Sequence, residues 1–388
     1  MTDKATRITV VGAGIGGLAC ALALCQRGFD VTVLEQAEAI TEVGAGIQVS
    51  PNGMRVIEAL GLAEGLTARS VRARAVSLRD YRRGDEVLRL DLKALPEDQG
   101  YYFVHRADLI DILADAVRKA GARVRLLQHV DTIRPGAHPR IELATGERVE
   151  TDLVIGADGL HSVLRPALNG AGTPFFTGQV AWRAVVPNVT AHPAHARVHM
   201  GPGRHLVSYP LRDGSQVNIV AVEERKGWVE EGWHVSDDPN NLKAAFAMFD
   251  AEVHRLLDEV TEVRIWGLFR HPVAQHWYGE NCVLLGDAAH PTLPFLAQGA
   301  NMALEDAWVL ARCLEDFPAR AEALRRYQKK RRERVVRVVD AASGNAWKYH
   351  LRGPARVLAH AGLRLAGAVA PGRMLHQFDW LYGFDVTG

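Results

Sequence analysis

The most constraining feature of the 388-residue sequence is a glycine-rich turn near its beginning, set between an apolar run and a helical pattern. Residues Arg7–Val11 (RITVV) are a short β-branched run, which predicts a buried parallel strand. The letters GAGIGG follow at 12–17, and apolar residues then recur at helical spacing as far as Gly28. Residues 31–34 (VTVL) predict the next strand. The segment is therefore typical of a strand–helix–strand unit of about 30 residues.

Each glycine of this turn has its own physical reason. Gly12 permits the tight turn, Gly14 lets the backbone approach a pyrophosphate, and Gly17 lets the helix pack close to the strand. The N-terminus of the helix then faces the negative charge of the ligand. Glu35, at the tip of the second strand, can accept hydrogen bonds from a ribose. The pattern predicts a dinucleotide site, and the alternative is a glycine turn that binds nothing.

Composition and charge exclude several other classes of protein. Lys and Arg total 46 against 45 Asp and Glu, so the net charge of +1 gives no reason to expect nucleic acid or an anionic membrane as partner. Four cysteines without a CxxC pair exclude a disulfide scaffold and favour a reducing compartment. The sequence shows neither a signal-type cleavage site nor an apolar run approaching about 18 residues. We therefore expect a cytoplasmic protein.

Two later segments place an aspartate at the carboxyl end of a predicted strand. Asp158 lies in DLVIGADGLHSVLR (152–165), and Asp287 lies in NCVLLGDAAHP (281–291). Open α/β sheets bind their ligands at this edge. Either aspartate alone is also typical of a helix cap or a turn. Together, after the glycine turn, they indicate one shared ligand site.

The strand pattern predicts two interleaved domains. Stretches 75–92 and 179–222 read as short antiparallel strands with turn signals, and they interrupt the α/β part instead of following it. Helices are predicted at 106–119, 302–317 and 319–340. The predicted fold class is α/β, a Rossmann-type domain interleaved with an antiparallel β-sheet substrate domain and followed by C-terminal helices. We assign residues 1–75, 105–172 and 272–330 to the dinucleotide domain, 76–104 and 173–271 to the sheet domain, and 331–388 to the helical segment.

Three segments in this order resemble the FAD-dependent aromatic hydroxylases, the single-component (class A) flavoprotein monooxygenases. They are GAGIGG, VIGADGLHSVLR and LLGDAAHPTLPFLAQGANMALEDA, within a resemblance that spans about residues 7 to 345. Residues 44–54 (GAGIQVSPNGM) resemble most the salicylate, 3-hydroxybenzoate and 6-hydroxynicotinate hydroxylase group. The resemblance implies FAD as cofactor and NADH or NADPH as transient co-substrate. It further implies O₂-dependent hydroxylation of a small aromatic acid or phenol through a flavin C4a-hydroperoxide.

The resemblance also implies roles for individual positions. Glu35 and the glycine turn would hold the ADP half of FAD, while Arg106 would contact the flavin chain and Val130 the adenine. Asp158 would serve FAD and the nicotinamide donor, and Asp287 the ribityl or pyrophosphate region. The cofactor-binding residues implied in this way are Gly12, Ala13, Gly14, Ile15, Gly16, Gly17, Glu35, Gly46, Ile47, Arg106, Val130, Asp158, Asp287, Pro294, Gly299, Ala300 and Asn301.

The sequence departs from the family pattern in one loop. Where the family often has P-x-x-G-x-G-x-N, this chain has Pro294, Ala297, Gly299 and Asn301, so an alanine replaces one glycine. Ala297 keeps its backbone N–H, so we expect cofactor binding to survive and loop motion to change. The helix that begins near Asn301 would direct its positive end at the flavin ring.

The sequence contains no second G-x-G-x-x-G, because residues 201–203 (GPG) lack the spacing and no helical pattern follows them. This fits transient binding of the nicotinamide donor. No Arg/Lys pair for a 2′-phosphate is evident, so NADH is slightly favoured over NADPH.

One predicted strand carries the substrate candidates. In GRHLVSYP (203–210), His205 and Tyr209 share a face because side chains alternate with period two. In the hydroxybenzoate and hydroxynicotinate group, a histidine and a tyrosine four apart lie at a matching position and touch the substrate hydroxyl. We therefore predict His205 as base or hydrogen-bond partner, Tyr209 as its companion and Gln48 as a contact to a ring substituent. The alternative is a packing histidine and tyrosine.

Several other features favour structural explanations. The spacing of His192, His195 and His199 resembles a metal site, but the stretch does not form one helical face, so no metal is predicted. The run at 329–332 (KKRR) predicts a solvated helix face. His290 either lines the pocket or caps local backbone. The aromatic residues at 378–384 predict a packing lid or a dimer contact, and the family suggests a homodimer.

Two other functions stay open from the sequence. One is a flavin monooxygenase of a bulkier polycyclic or isoprenoid substrate, and the other is a non-catalytic protein that binds FAD and a ligand. A flavin halogenase is disfavoured because its Trp-x-Trp-x-Ile-Pro motif is absent from the sequence.

Overall fold

The computed structural model describes residues 6–40, 45–225, 227 and 235–388, so Gly44 of the GAGIQVSPNGM segment lies outside the described residues. The strands are β1 (Arg7–Val11), β2 (Asp30–Leu34), β3 (Gly46–Val49), β4 (Ser70–Arg72), β5 (Ala75–Asp80), β6 (Glu86–Asp91), β7 (Tyr102–His105), β8 (Arg123–Arg125), β9 (Val130–Arg134), β10 (Arg140–Leu143), β11 (Arg148–Glu150), β12 (Leu153–Gly156), β13 (Phe175–Pro187), β14 (His195–Gly201), β15 (Arg204–Leu211), β16 (Gln216–Glu224), β17 (Ser236–Asp237), β18 (Val263–Arg270), β19 (Tyr278–Gly279) and β20 (Cys282–Leu284).

The helices connect and cover these strands. They are α1 (Ile15–Cys25), α2 (Pro51–Ala59), α3 (Ala63–Thr67), α4 (Arg106–Lys119), α5 (Leu164–Asn169), α6 (Pro239–Ala245), α7 (Ala251–Asp258), α8 (Gly299–Asp316), α9 (Arg320–Tyr349), α10 (Gly353–Val369), α11 (Pro371–His376) and α12 (Asp379–Tyr382). Short 3-10 turns lie at Leu92–Ala94, Gly159–His161, Arg212–Gly214, Gly286–Ala288 and Pro294–Leu296. None of the helices in the described ranges is long and apolar enough to cross a membrane.

A six-stranded sheet in the order β19-β20-β12-β1-β2-β8 carries the dinucleotide motif. β1 runs parallel to β2 and to β12, with Val11 opposite Leu34 on one side and Gly156 on the other. Residues Ile8 to Val11 of β1 are all buried because both faces of a central parallel strand are covered. Helix α1 packs against α4 and α8. The carboxyl ends of β1, β12 and β20 therefore lie side by side.

An eight-stranded sheet in the order β17-β18-β13-β16-β15-β14-β5-β6 forms the second layer. Its pairs are antiparallel except one, since β14 runs parallel to β5 with His195 opposite Ala75. The prediction of antiparallel strands is therefore wrong for this pair. The two strands come from distant parts of the chain, so tertiary packing sets their direction and no local turn signal records it.

The two faces of the eight-stranded sheet have different partners. One face packs Trp182 and Leu206 against the apolar sides of α6 and α7, with Phe246 at the centre. The opposite face carries Trp266 and packs on Phe295 of the turn before α8. Because alternate side chains point to opposite faces, His205, Val207 and Tyr209 of β15 lie on the second face.

The C-terminal helices extend beyond the prediction. The second long helix, predicted at 319–340, continues as α9 to Tyr349 and passes through Gly344. The division predicted after residue 330 falls inside this helix. The aromatic tail packs on the body of the protein: the Tyr382 ring meets Tyr101 at 5.8 Å between centroids.

Candidate functional site

The glycine turn has the close approaches that its sequence requires. Gly12 has a φ of +101°, and a Cβ placed there would lie 2.5 Å from the carbonyl oxygen of Ala157. A Cβ on Gly17 would lie 2.0 Å from the carbonyl oxygen of Gly12. A Cβ on Gly14 would meet no atom of the described residues within 4 Å. The turn is thus closed toward the protein at Gly12 and Gly17 and open toward a ligand at Gly14, where α1 begins with Ile15.

Glu35 closes the other side of the turn. Its Oε2 accepts a 2.7 Å hydrogen bond from the N–H of Ala13, and its Oε1 accepts a 2.9 Å bond from Ala37. A carboxylate has about four acceptor positions, so capacity for a ribose hydroxyl remains. Gln128 donates its N–H to the carbonyl of Glu35 at 2.8 Å, which brings the start of β9, with buried Val130, to this edge of the sheet.

Asp158 follows β12 and lies directly beside the glycine turn. A Cβ on Gly12 would be 3.1 Å from the Cα of Asp158. Its Oδ2 accepts a 2.7 Å hydrogen bond from the N–H of Val163, whereas its buried Oδ1 has no partner among the described residues. Burial raises the pKa of this carboxyl above its usual range. A buried oxygen without a partner indicates a missing hydrogen-bond donor.

Asp287 follows β20, two strands away from β1 in the sheet. Its side chain is exposed in the 3-10 turn Gly286–Ala288. Surrounding protein raises the pKa of Asp287, while the charges of His290 and Arg106 act in the opposite direction. Arg106, the first residue of α4, is therefore close enough to Asp287 for the two charges to interact.

The loop before α8 fixes the start of that helix against β3. Pro294 opens a 3-10 turn, Ala297 adopts a left-handed conformation with φ of +52°, and α8 begins at Gly299 and Ala300. Nδ2 of Asn301 donates to the carbonyls of Gln48 and Ala297 at 3.0 and 2.9 Å. Its Oδ1 accepts from the N–H of Ser50 at 3.1 Å. The Asn301 amide therefore fixes the loop against β3. The backbone N–H groups at the start of α8 remain available to a cofactor.

These groups fit FAD. The open Gly14, the partnerless Oδ1 of Asp158 and the exposed carboxylate of Asp287 follow one edge of the six-stranded sheet. The N-termini of α1 and α8 add two positive helix ends, which suit a pyrophosphate and an electron-rich ring. The donor and acceptor set therefore matches a long, doubly phosphorylated dinucleotide that bears hydroxyl groups.

Gly46, Gln48 and Tyr209 are brought together at one end of β15. A Cβ on Gly46 would lie 2.6 Å from Cε2 of Tyr209, so the absence of a side chain at Gly46 lets the ring approach the β3 backbone that continues into Ile47. Gln48 accepts a 2.7 Å hydrogen bond from the Tyr101 hydroxyl. Burial raises the pKa of Tyr209, and hydrogen bonding to Gln48 lowers it only in part. Tyr209 therefore stays protonated and able to donate.

His205 lies at the other end of the same face. It is 2% exposed, and its ring centroid is 5.6 Å from that of Phe295 in the loop before α8. Its Nδ1 is 2.7 Å from Nε2 of His350. Burial, followed by the charge of His350, lowers the pKa of His205 well below its usual range. Local sequence patterns gave no sign of His350, because α9 brings it to β15 from 145 residues away.

A buried charge network that the sequence did not predict supports the start of α8. Arg331 is fully buried and its Nη1 lies 2.5 Å from Oε2 of Glu305, so the predicted solvated face of the KKRR run is wrong at this position. Lys329 and Lys330 are exposed, as predicted. His290 is also fully buried, 2.5 Å from Oδ2 of Asp306, so it neither lines the pocket nor caps the loop. The sequence does contain one indication of this network: Glu305 and Asp306 are adjacent acidic residues on an otherwise apolar face of α8.

The three histidines with metal-like spacing do not converge. His192 lies 2.9 Å from Oγ of Ser208, and His195 lies 3.2 Å from Arg89. His199 lies 3.2 Å from Asp250, and Glu252 completes this cluster. Arg197 forms an ion pair with Glu252, so a cation already neutralises that carboxylate.

Comparisons with known proteins agree with this geometry. A family model described as "FAD binding domain" matches residues 5–342. The chain is 39% identical to the 3-amino-4-hydroxybenzoate 2-monooxygenase of Streptomyces cremeus, over 90% of this chain and 89% of that protein. It is 35% identical to the 3-hydroxybenzoate 6-hydroxylase of Polaromonas naphthalenivorans, over 98% of this chain and 96% of that protein.

The fold also matches solved structures. The HpxO protein of Klebsiella pneumoniae, solved with FAD and uric acid, superposes with a TM-score of 0.84 at 26% identity, over 96% of this chain and 95% of that chain. The predicted α/β fold class and the resemblance to the aromatic hydroxylases are both confirmed.

Proposed function

This chain belongs to the FAD binding domain family and is an FAD-dependent aromatic hydroxylase, and we propose that its substrate is a single-ring aromatic acid that carries a ring hydroxyl. The observation that carries the substrate proposal is the face of β15 between His205 and Tyr209, which borders the loop before α8. Relatives named for 3-amino-4-hydroxybenzoate and 3-hydroxybenzoate support the same substrate class.

FAD would be held along the edge of the six-stranded sheet. We propose that the glycine turn and Glu35 hold its adenosine end, that Asp158 and Asp287 accept hydrogen bonds from its hydroxyls, and that the start of α8 faces its ring. When bound, FAD would supply the redox and oxygen chemistry that the protein side chains lack, with NADH or NADPH as donor. The protein side chains would position the substrate, accept and donate its protons, and exclude water from the site.

The size of the substrate face favours one ring. Four residues of a strand span about 13 Å, so His205 and Tyr209 bracket a space of that length. Val207, between them, is half-buried while both neighbours on this face are buried, and it touches three separate apolar clusters. We propose that the ring of a benzoate or pyridine acid lies over Val207, between the two polar ends.

The two ends of the bracket have distinct proton roles. Tyr209, protonated because burial raises its pKa, would donate a hydrogen bond to the substrate. His205, neutral because burial lowers its pKa, would accept the ring hydroxyl proton at Nε2. A deprotonated hydroxyl makes the ring more electron-rich and a better nucleophile toward an electrophilic oxygen. The low exposure of both residues excludes water from the reacting ring.

We make four further proposals about the protein. The four cysteines are free thiols, which supports a cytoplasmic protein. Leu358, Leu365 and Val369 on α10 are exposed, which supports a homodimer. Each of the two large sheets draws strands from separated parts of the chain, which supports the interleaved domain division. We propose NADH over NADPH as donor, because the sequence shows no Arg/Lys pair for a 2′-phosphate.

A coupled assay tests the proposed function. The purified holoenzyme is mixed with NADH in air, and NADH oxidation is followed with 3-amino-4-hydroxybenzoate, 3-hydroxybenzoate or benzoate. We expect a hydroxylated ligand to accelerate oxidation and to gain one oxygen atom, while benzoate does not. Val207→Phe should abolish the stimulation and retain FAD, and Val207→Ala should keep it. Oxidation that no ring-hydroxylated acid accelerates would contradict the proposal.

A further inference from the structure

A continuous chain of hydrogen-bonding groups leads from the substrate face to the protein surface. Nδ1 of buried His205 lies 2.7 Å from Nε2 of His350, and Nδ1 of His350 lies 3.0 Å from Oε1 of Glu224. His350 is 4% exposed, whereas the side chain of Glu224 is 39% exposed. The contacts therefore run from the dry interior to water in two steps.

The carboxylate at the outer end fixes the direction of both hydrogen bonds. An ionised Glu224 can only accept, so Nδ1 of His350 carries the proton and donates. Nε2 of His350 is then an acceptor, and His205 must donate from its own Nδ1. This arrangement leaves the lone pair of His205 on Nε2. The hydrogen bonds from His205 to His350 and from His350 to Glu224 thus select the tautomer of His205 that can accept the substrate proton.

We propose that His350 and Glu224 form a proton relay that connects His205 to solvent, with His350 and Glu224 as positioning and relay residues for the hydroxylase reaction. This inference rests on the proposed function, because it needs a substrate hydroxyl at His205. Neither residue belongs to the cofactor motifs or to the substrate face.

The relay balances without a buried charge on either imidazole. The O–H bond of the substrate breaks and its proton goes to Nε2 of His205, while the Nδ1 proton of His205 moves to Nε2 of His350. The Nδ1 proton of His350 moves to Oε1 of Glu224, which releases it to water. The substrate remains as a phenolate, and reprotonation of the product runs the same transfers in reverse. Concerted transfer suits two histidines whose pKa values burial lowers.

Arg352 pairs with the outer oxygen of the Glu224 carboxylate. Nη2 of Arg352, the residue before α10, lies 2.5 Å from Oε2 of Glu224, the oxygen that does not face His350. Nε2 of Gln179 lies 3.4 Å from Nδ1 of His350, farther than the carboxylate, so the shorter charge-assisted bond decides the tautomer. The groups that face the two histidines are Phe295, Tyr349, Gln179, Arg204, Glu224 and Arg352.

The turn between β14 and β15 makes room for this exit. Gly203 has a φ of +69°, and a Cβ on it would lie 2.4 Å from Nη2 of Arg352 and 3.2 Å from Oε2 of Glu224. Its N–H also donates to the carbonyl of His350 at 3.2 Å. The GPG segment is not part of a nucleotide motif. Its second glycine, Gly203, is explained by this close approach of Arg352 and Glu224.

Ligand-induced proton release tests the relay without turnover. Oxidised, FAD-loaded enzyme is mixed with 3-amino-4-hydroxybenzoate in a weakly buffered solution, and stopped-flow absorbance follows the phenolate band and a pH-indicator dye. In wild type we expect the two signals to rise together. His350→Gln and Glu224→Gln should each slow both signals by about 10- to 100-fold with unchanged equilibrium affinity. Added imidazole should partly restore the rate of His350→Ala.

A matched control separates relay from packing. His360 is another buried histidine of the C-terminal helices, 3.5 Å from Asp80 and outside the relay, so His360→Gln should keep the wild-type rates. If His350→Gln folds poorly, Glu224→Gln decides alone, because its side chain is exposed. Wild-type rates in Glu224→Gln overturn the relay. A wild-type enzyme that binds no ring-hydroxylated acid overturns the proposed function, and the relay with it.

Discussion

Arg331 donates a 2.7 Å hydrogen bond from Nε to Oδ1 of Asp306, and both side chains are fully buried between α9 and α8. The other carboxylate oxygen of Asp306 accepts from His290 at 2.5 Å and from the N–H of Gly286 at 3.2 Å. The pair therefore holds the turn that carries Asp287 in place. We therefore expect both the stability of the fold and the position of Asp287 to depend on this buried ion pair.

Arg331→Met should destabilise the protein strongly. It leaves buried Asp306 without a guanidinium and Glu305 with that of Arg334 alone, and breaking such a buried pair costs about 3–5 kcal/mol. The free energy of unfolding in urea is the measurement. Lys330→Met, at an exposed neighbouring position, should change it by less than about 0.5 kcal/mol. Equal stabilities of the two variants would contradict this account of the network.

Asp287→Ala should weaken FAD binding and leave the fold intact. The side chain is exposed, so its removal opens no cavity, but it deletes a charged acceptor worth about 1.5–3 kcal/mol. We expect FAD affinity to fall about 10- to 100-fold and the purified protein to lose most of its yellow colour. Flavin fluorescence titration measures the affinity. Asp340→Ala, exposed on α9, is the control, and undiminished affinity in Asp287→Ala would refute the role.

Ala297→Gly should stabilise the loop before α8. Ala297 has a φ of +52°, a left-handed conformation that costs a residue with a Cβ about 1–2 kcal/mol. The extra freedom of glycine in the unfolded chain offsets about 0.5–1 kcal/mol of the gain. The thermal midpoint should therefore rise slightly, and a clear fall would show that the alanine is not strained.

Stability should fall as the pH drops below 6.5, because His199 stays neutral in the folded protein. Burial lowers the pKa of His199 to about 3, against about 6.5 in the unfolded chain. Between these values only the unfolded chain binds the proton, so the full stability is present above pH 6.5 and is lost toward pH 3.

The size of this effect is measurable between pH 7.0 and 5.5. His199 should account for about 1 kcal/mol of the loss in unfolding free energy over this interval. His199→Gln should reduce the loss by that amount, whereas His138→Gln, at an exposed position, should not. The same pH dependence in wild type and His199→Gln would argue against a neutral buried His199.

The cofactor side was predictable from sequence because parallel strands have a fixed geometry. β20, β12 and β1 are parallel neighbours, so Gly12, Asp158 and Asp287 follow strand ends at one edge of the sheet, as the motifs predict. The alternation along β15 likewise placed His205 and Tyr209 on one face. In each case a local repeat determines the direction of a side chain.

The remaining parts depend on contacts between distant residues. The parallel pairing of β5 with β14, the burial of Arg331 and the contact of His205 with His350 each join segments more than 20 residues apart. Arg331 lies in a run of four basic residues, and only the Glu-Asp pair of the facing helix distinguishes it from its exposed neighbours. The spacing of apolar residues in one sequence indicates which face of a helix or strand a residue occupies. It does not indicate which distant segment packs on that face.

Isotope labelling of the product tests the central claim most directly. Holoenzyme, NADH and 3-amino-4-hydroxybenzoate are incubated under ¹⁸O₂, and the product is examined by mass spectrometry. An FAD-dependent aromatic hydroxylase places one ¹⁸O atom on the ring for each NADH consumed, with little peroxide. A product that lacks the label, or NADH consumption that yields peroxide alone with every ring-hydroxylated acid, would contradict the account.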